Sequence, residues 1–303
     1  MAVENDNSKI AKTRDRRKAV AAGGSDARLL AELKARLAEI SDLRSAGAVL
    51  GWDEAVFMPP GGAASRGRQK ARLASLAHQR STDVELGRLL DALAPHATAL
   101  PPDSDDAALI TVSKRDYDRA IRVPAAFVAR ESEHGSASYQ AWTAARPAND
   151  FAAVAPFLEV GLDLAREYAS FFPGHAHPMD VLIGPDEGVT AAEVETLFTE
   201  LRAALVPLVQ GITAQAVADD SCLRRHFPAS PQIDFATAIA ADFGYDGARG
   251  RIDRSPHPFC TTFARDDVRI TTRVNENVLS DALFSIWHEV GHALYELGVD
   301  ASL

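Results

Sequence analysis

Apolar positions recur every three or four residues along most of the chain, which is the period of helices that bury one face. The clearest case lies near the end, where Leu283, Phe284, Trp287, Val290, Ala293, Leu294 and Leu297 form one stripe. Ser280 is placed to cap the start of that helix, and Gly298 to end it in a left-handed conformation. Far upstream, Leu30, Leu33, Leu37 and Ile40 make a second seam among strong helix formers. Thr190 and Glu193 have the spacing of a capping box ahead of Val194, Leu197, Phe198, Leu201 and Leu205, and Pro207 is expected to kink or end that helix. MPPGG at 58–62 and PGHAHP at 173–178 punctuate the pattern. One stretch departs from it: VRITTRV, 268–274, is β-branched and alternates as a strand does. The expected architecture is all-α, with a small β-hairpin or strand beside the last helix. It forms one body over residues 28–303, after a polar, disordered tail at 1–27.

Composition narrows the function classes. Hydrophobic residues make up 47% and charged residues 24%, enough for a sizeable core. A net charge of -10 argues against a nucleic-acid surface, which needs clustered Lys and Arg. No run approaches a membrane span. The start lacks the apolar core of a secretory signal, and Arg14, Arg16, Arg17 and Lys18 read as part of a mixed-charge tail. The two cysteines, Cys222 and Cys260, make no metal or disulfide framework and fit a reducing, cytoplasmic setting, Cys260 as a small packing residue.

The chemistry sits on the last helix. His288 and His292 are four apart, hence one turn apart on one face, and can reach one small cation. Glu289 follows the first of them, completing HExxH, the pattern in which two histidines hold zinc and the glutamate acts as general base. A catalytic zinc takes three protein ligands and leaves its fourth position to water, whose acidity it raises. A neighbouring carboxylate can accept the released proton and pass it to a leaving amine.

The third ligand is not evident from spacing. Tyr295 and Gly298 stand where the metzincin pattern has glycine and histidine. Glu296 shares the face but lies roughly 12 Å along the axis from His288, too far for one ion. An upstream residue such as Glu276 or His257 could supply the ligand, or the chain lacks it. His175 and His177 read as a solvated pair in a Pro/Gly loop.

The segment leading into this helix carries His257-Pro258-Phe259, then Asp267-Val268-Arg269-Ile270-Thr271, then His288 to His292. In that order and at that spacing, these motifs resemble the HPF, DxRxT and HExxH motifs of the carboxypeptidase Taq family of zinc metallopeptidases. Trp52, Asp53, Met58, Pro59, Gly61 and Gly62 are similar to its WDxxxxMPxGG segment, and RVPAAFVAR, AWTAARPANDF and EGVTAAEVETLFTELRAALVPLV also resemble it. The likeness runs over residues 28–303. It implies a mainly helical, zincin-like metallopeptidase that removes C-terminal residues from peptides with broad specificity, uses Zn2+ or another divalent ion such as Co2+, and is commonly a homodimer. His288 and His292 would bind the metal and Glu289 would be the base. The family's third ligand belongs to an HESQ or HEGQ motif that does not occur here, nor do its IRxxAD and GxxQDxHW motifs. The sequence is thus expected to be the amino-terminal portion of such an enzyme, incomplete at its C-terminus, with the third ligand absent from it.

Roles in substrate binding or in support of the ligands fall to His257, Asp267, Arg269 and Thr271. His257 would form an active-site wall or donate to a zinc ligand. Arg269 would bind a substrate carboxylate or pair with Asp267. The strand containing Thr271 would align an extended peptide by its main chain or serve the fold alone. Two other readings stand beside this one: a non-catalytic fragment that binds metal weakly or not at all, and an HExxH endopeptidase or aminopeptidase.

Overall fold

A computed structural model describes residues 4–300, with side chains from residue 24 onward and without those of residues 184–187. Most of the tail expected at 1–27 therefore lies outside the described side chains. The helices are α1 (Glu4–Val56), α2 (Ala63–Ser81), α3 (Val84–Ala99), α4 (Asp105–Ala120), α5 (Ala125–Ala148), α6 (Phe151–Ser170), α7 (Pro178–Glu187), α8 (Ala191–Thr213), α9 (Ala229–Asp242) and α10 (Leu279–Leu297). Between α9 and α10 come the strands β1 (Ile252–Arg254), β2 (Cys260–Ala264) and β3 (Asp267–Thr272). The chain forms two compact units, one of Met1–Arg44 with Arg72–Ala129, the other of Ser45–Ala71 with Arg130–Leu303.

In the first unit Leu33 and Ile40 of α1 pack with Leu86, Leu89, Leu90 and Leu93 of α3 and Ile110 of α4. Leu30 and Leu37 join them partly buried, so the seam read from the sequence is the core-facing stripe of α1. Asp83 and Ser104 cap α3 and α4 by accepting from the N–H groups of Glu85 and Ala107.

The second unit holds the last helix. Its core joins Ala236 and Ala240 of α9, Val268 and Ile270 of β3, and Ile286, Val290, Ala293 and Leu297 of α10, with Tyr245 between the layers. Fully burying each large aliphatic side chain contributes about 1.5–3 kcal/mol, so this is where α10 is fixed in place. The sheet has the order β1-β3-β2, β1 parallel and β2 antiparallel to β3. The Tyr245 hydroxyl lies 3.0 Å from the carbonyl of Arg251 and 2.8 Å from that of Val268, bridging the approaches to β1 and β3. A side chain at Gly250 would overlap both the Val268 carbonyl and the Tyr245 ring, so only glycine fits there.

Local details depart from the sequence pattern in three places. Helix α10 begins at Leu279 with Val278 at the cap position and no side-chain cap, so Ser280 lies inside the first turn. Gly298 ends the helix in the right-handed region (φ -85°, ψ -6°), its N–H directed at the carbonyls of Leu294, Tyr295 and Glu296. Helix α8 runs through Pro207 to Thr213, so Pro207 does not end it. The capping box at Thr190 and Glu193 is present in both of its hydrogen bonds. Asp180 adds to that end of α8 by accepting from the N–H of Ala191 at 2.7 Å while it also accepts from His177 N–H at 3.0 Å. No residue of α8 is buried, and Leu197, Phe198, Leu201, Leu205 and Leu208 are exposed along it.

Candidate metal centre and active site

Burial orients α10. Ile286, Glu289, Val290 and Ala293 face inward, while His288 and His292 lie on the exposed side. Phe284, expected in the apolar stripe, is instead exposed, with its ring edge-on to Trp287. The His288 and His292 Nε2 atoms stand 3.2 Å apart with their rings nearly perpendicular. Two nitrogens on a tetrahedral zinc at about 2.0–2.1 Å would be roughly 3.3 Å apart, so the pair has the span of one edge of that tetrahedron. The two imidazole nitrogens thus have the type and spacing that two ligands of such an ion need.

Glu289 is only 6% exposed, yet its carboxylate has no hydrogen-bond partner among the described residues. Burial pushes its pKa up, and the charges of His288, His292 and His257 pull it back down. A carboxylate in that position is short of solvation, which favours its taking a proton. Cys260 lies on the neighbouring strand, its thiol raised to about 11 by burial and by the charges of Glu289 and Glu296. It is therefore a protonated packing residue at neutral pH.

His257, whose charge acts on Glu289, sits on a loop that other residues hold. Its ring meets that of Trp142 on α5 edge-on, with centroids 6.2 Å apart. The loop after β1 is tied to β3 by Thr271, whose hydroxyl accepts from Phe259 N–H at 3.0 Å and lies 2.7 Å from the Ser255 hydroxyl. Ser255 in turn donates to the His257 carbonyl at 2.6 Å. Thr271 is fully buried, so its side chain acts on the loop rather than on a ligand.

The other sequence candidates separate into distinct places. Arg269 binds Asp267 through both ends of its guanidinium at 2.7 Å, and the same guanidinium lies over Trp52 at 4.8 Å and Phe263 at 4.9 Å. Arg251, paired with Asp253, also stacks over Trp52 at 5.2 Å. The Trp52 segment and the Asp267–Thr271 segment are thus one packed unit. Main-chain alignment of a peptide by β3 is contradicted by the topology, because β3 is the central strand and is hydrogen-bonded on both edges. Glu276 is occupied elsewhere, accepting from Ala229 N–H at 2.9 Å. His177 Nδ1 accepts from Met179 N–H, as a loop histidine does. Among the described residues no group of three His, Cys, Asp or Glu is placed to hold a metal.

Spacing alone did not reveal Trp142, Ser255 or Tyr245. Trp142 lies in a stretch quoted only for its likeness to a family, and its partner is more than a hundred residues away. Ser255 and Tyr245 carry no local signal, since their roles depend on which carbonyls and hydroxyls the fold brings to them.

No helix among the described residues is long and apolar enough to cross a membrane. Compared with known proteins, the chain is 34% identical over 272 residues to thermostable carboxypeptidase 1 of Thermus thermophilus, covering 86% of this chain and 53% of that one. It is 31% identical over 269 residues to carboxypeptidase 1 of Bacillus subtilis, covering 88% and 53%. Among solved structures, the M32 carboxypeptidase from Deinococcus radiodurans superposes with a TM-score of 0.77 at 44% identity, covering 91% of this chain and 55% of that chain. The chain spans about half the length of the curated relatives it matches. It matches the family described as carboxypeptidase Taq (M32) metallopeptidase over residues 32–303, and with these similarities it belongs to that family.

Proposed function

We propose that this chain carries the metal-binding and proton-accepting part of a zinc metallocarboxypeptidase centre. The observation that supports it most is the 3.2 Å approach of the His288 and His292 Nε2 atoms beside the buried, unpartnered carboxylate of Glu289. His288 and His292 would hold the ion, zinc by preference or another divalent metal such as Co2+. When bound, that metal supplies an electrophile that polarises a peptide carbonyl and makes water more acidic. Glu289 accepts the proton from water and returns it to the departing amine, and its desolvation raises its basicity for that role. Trp142 and the Thr271 clamp hold His257 where its charge reaches Glu289.

The substrates would be peptides, cut at the C-terminal residue with broad side-chain tolerance, in the cytoplasm and in a homodimer. The names of the relatives favour carboxypeptidase action over the endopeptidase or aminopeptidase alternatives that HExxH also permits. Glu289→Gln should leave metal content unchanged and abolish peptide hydrolysis in the enzyme that contains this chain. A metal-loaded, active variant would refute the role given to Glu289.

A second reading is favoured by one observation: no third ligand joins the two histidines among the described residues. On that reading the 303-residue chain by itself is inactive and holds metal weakly. Measured peptidase activity with one zinc per chain would exclude it.

A further inference from the structure

A cavity of about 610 Å³ opens beside the His257 loop, lined by Arg146, Arg254, Arg273, Asn275, Asn277 and Asp281 among others. Its three arginines come from different elements: Arg146 from α5, Arg254 from the end of β1, and Arg273 from just after β3. Arg273 is paired with Asp281 at 3.2 Å. The other lining carboxylate, Glu276, is directed at Ala229 N–H. The guanidiniums of Arg146 and Arg254 have no ion-pair or hydrogen-bond partner among the described residues. In a chain of net charge -10, in which most described arginines have a carboxylate beside them, two unpaired guanidiniums on one cavity make a local excess of donors and positive charge.

Two of the cavity's arginines lie close along the chain to the residues packed around His257. Arg146 lies one turn beyond Trp142 on α5, whose ring packs against His257, and Arg254 precedes His257 by three residues. We infer that this cavity is a carboxylate subsite, in which Arg146 and Arg254 bind the acidic side chain of a peptide lying alongside the His257 loop. The inference deepens the function proposed above and rests on it for the identity of the ligand as a peptide. A planar guanidinium matches a carboxylate with two parallel hydrogen bonds, and the asparagine amides at 275 and 277 offer further donors to the same group.

The test is a binding measurement that needs neither metal nor turnover. N-acetyl-aspartyl-alanine amide and its asparagine counterpart would be titrated calorimetrically into the 303-residue chain in the presence of a chelator, alongside inorganic phosphate. The aspartyl peptide should bind about tenfold more tightly than the asparaginyl one, as expected for a charge-assisted contact with partly exposed arginines. That preference should vanish in the Arg146→Gln/Arg254→Gln double variant. The substituted residues are solvent-facing, and an unchanged thermal unfolding curve confirms an intact fold. Equal binding of the two peptides, a preference that survives the double substitution, or binding of phosphate without any aspartyl preference would overturn the inference. Because hydrolysis is not read, a negative result leaves the metal centre untouched. An inactive centre likewise leaves this result standing.

Discussion

Replacing Thr271 by valine keeps the β-branched shape and almost the volume of a fully buried side chain, so its effect isolates one hydroxyl. That hydroxyl accepts the Phe259 N–H at 3.0 Å and sits 2.7 Å from the Ser255 hydroxyl. Losing an ordinary hydrogen bond costs about 1 kcal/mol, and leaving a half-buried N–H without an acceptor costs about 1–3 kcal/mol. Ser255 keeps its bond to the His257 carbonyl, which limits the loss on that side. The expected penalty is therefore roughly 2 kcal/mol, concentrated in the loop that carries His257, and corresponds to about a thirtyfold rise in local opening. Amide hydrogen exchange reads this directly: Phe259 should lose about thirtyfold of its protection while amides of α3 and α4 keep theirs. Ser255→Ala should produce a smaller loss at the same amide. Unchanged protection of Phe259 in Thr271→Val would refute the claim that this hydroxyl holds the loop.

Other outcomes follow from the same contacts. Glu54, with a side chain 2% exposed, is neutralised by Lys70 at 2.6 Å, so Lys70→Met should destabilise the second unit by about 2–3 kcal/mol in urea unfolding. Adding Glu54→Gln should restore most of that loss, and a double variant no better than the single one would show that the charge pair is not the cause. Backbone N–H groups of Ala191 and His177 hold the Asp180 carboxyl below its usual pKa of 3.8, so its contribution is present above that value and disappears as the pH falls through the lower folded value. Asp180→Asn should accordingly melt below the wild type at pH 7, with the gap closing on acidification. A gap independent of pH would assign the effect to something other than this carboxylate.

The sequence made the helices legible because helical periodicity is local. Leu33 and Ile40 could be assigned to a core from spacing alone, and Thr190 and Glu193 to a capping box. The ends of α10 were less legible, since Val278 starts it without a side-chain cap and Gly298 closes it without a left-handed turn. Phe284 matched the apolar period but faces outward, because the helix is oriented by its contacts with β3 and α9, which lie outside its own sequence. The strand at 267–272 was visible in its alternation, yet its central position was not, and that position removes it as a template for substrate. For the proposed site, HExxH named three residues by number. What it could not give was the third dimension: Glu289 on the buried side, His257 brought near it by Thr271 and Trp142, and Arg269 spent on Asp267 and Trp52. Arg146 and Arg254 are over a hundred residues apart, and no local pattern joins them.

The most direct measurement is a zinc titration of the folded chain and of three variants, His288→Ala, His292→Ala and Glu289→Gln. The account predicts one zinc site per chain, weakened at least about a hundredfold by removing either imidazole and left unchanged by Glu289→Gln, because in the proposed site the histidines would be ligands and the glutamate would not. Zinc binding that survives His288→Ala or His292→Ala at wild-type strength, or that is lost in Glu289→Gln, would contradict it.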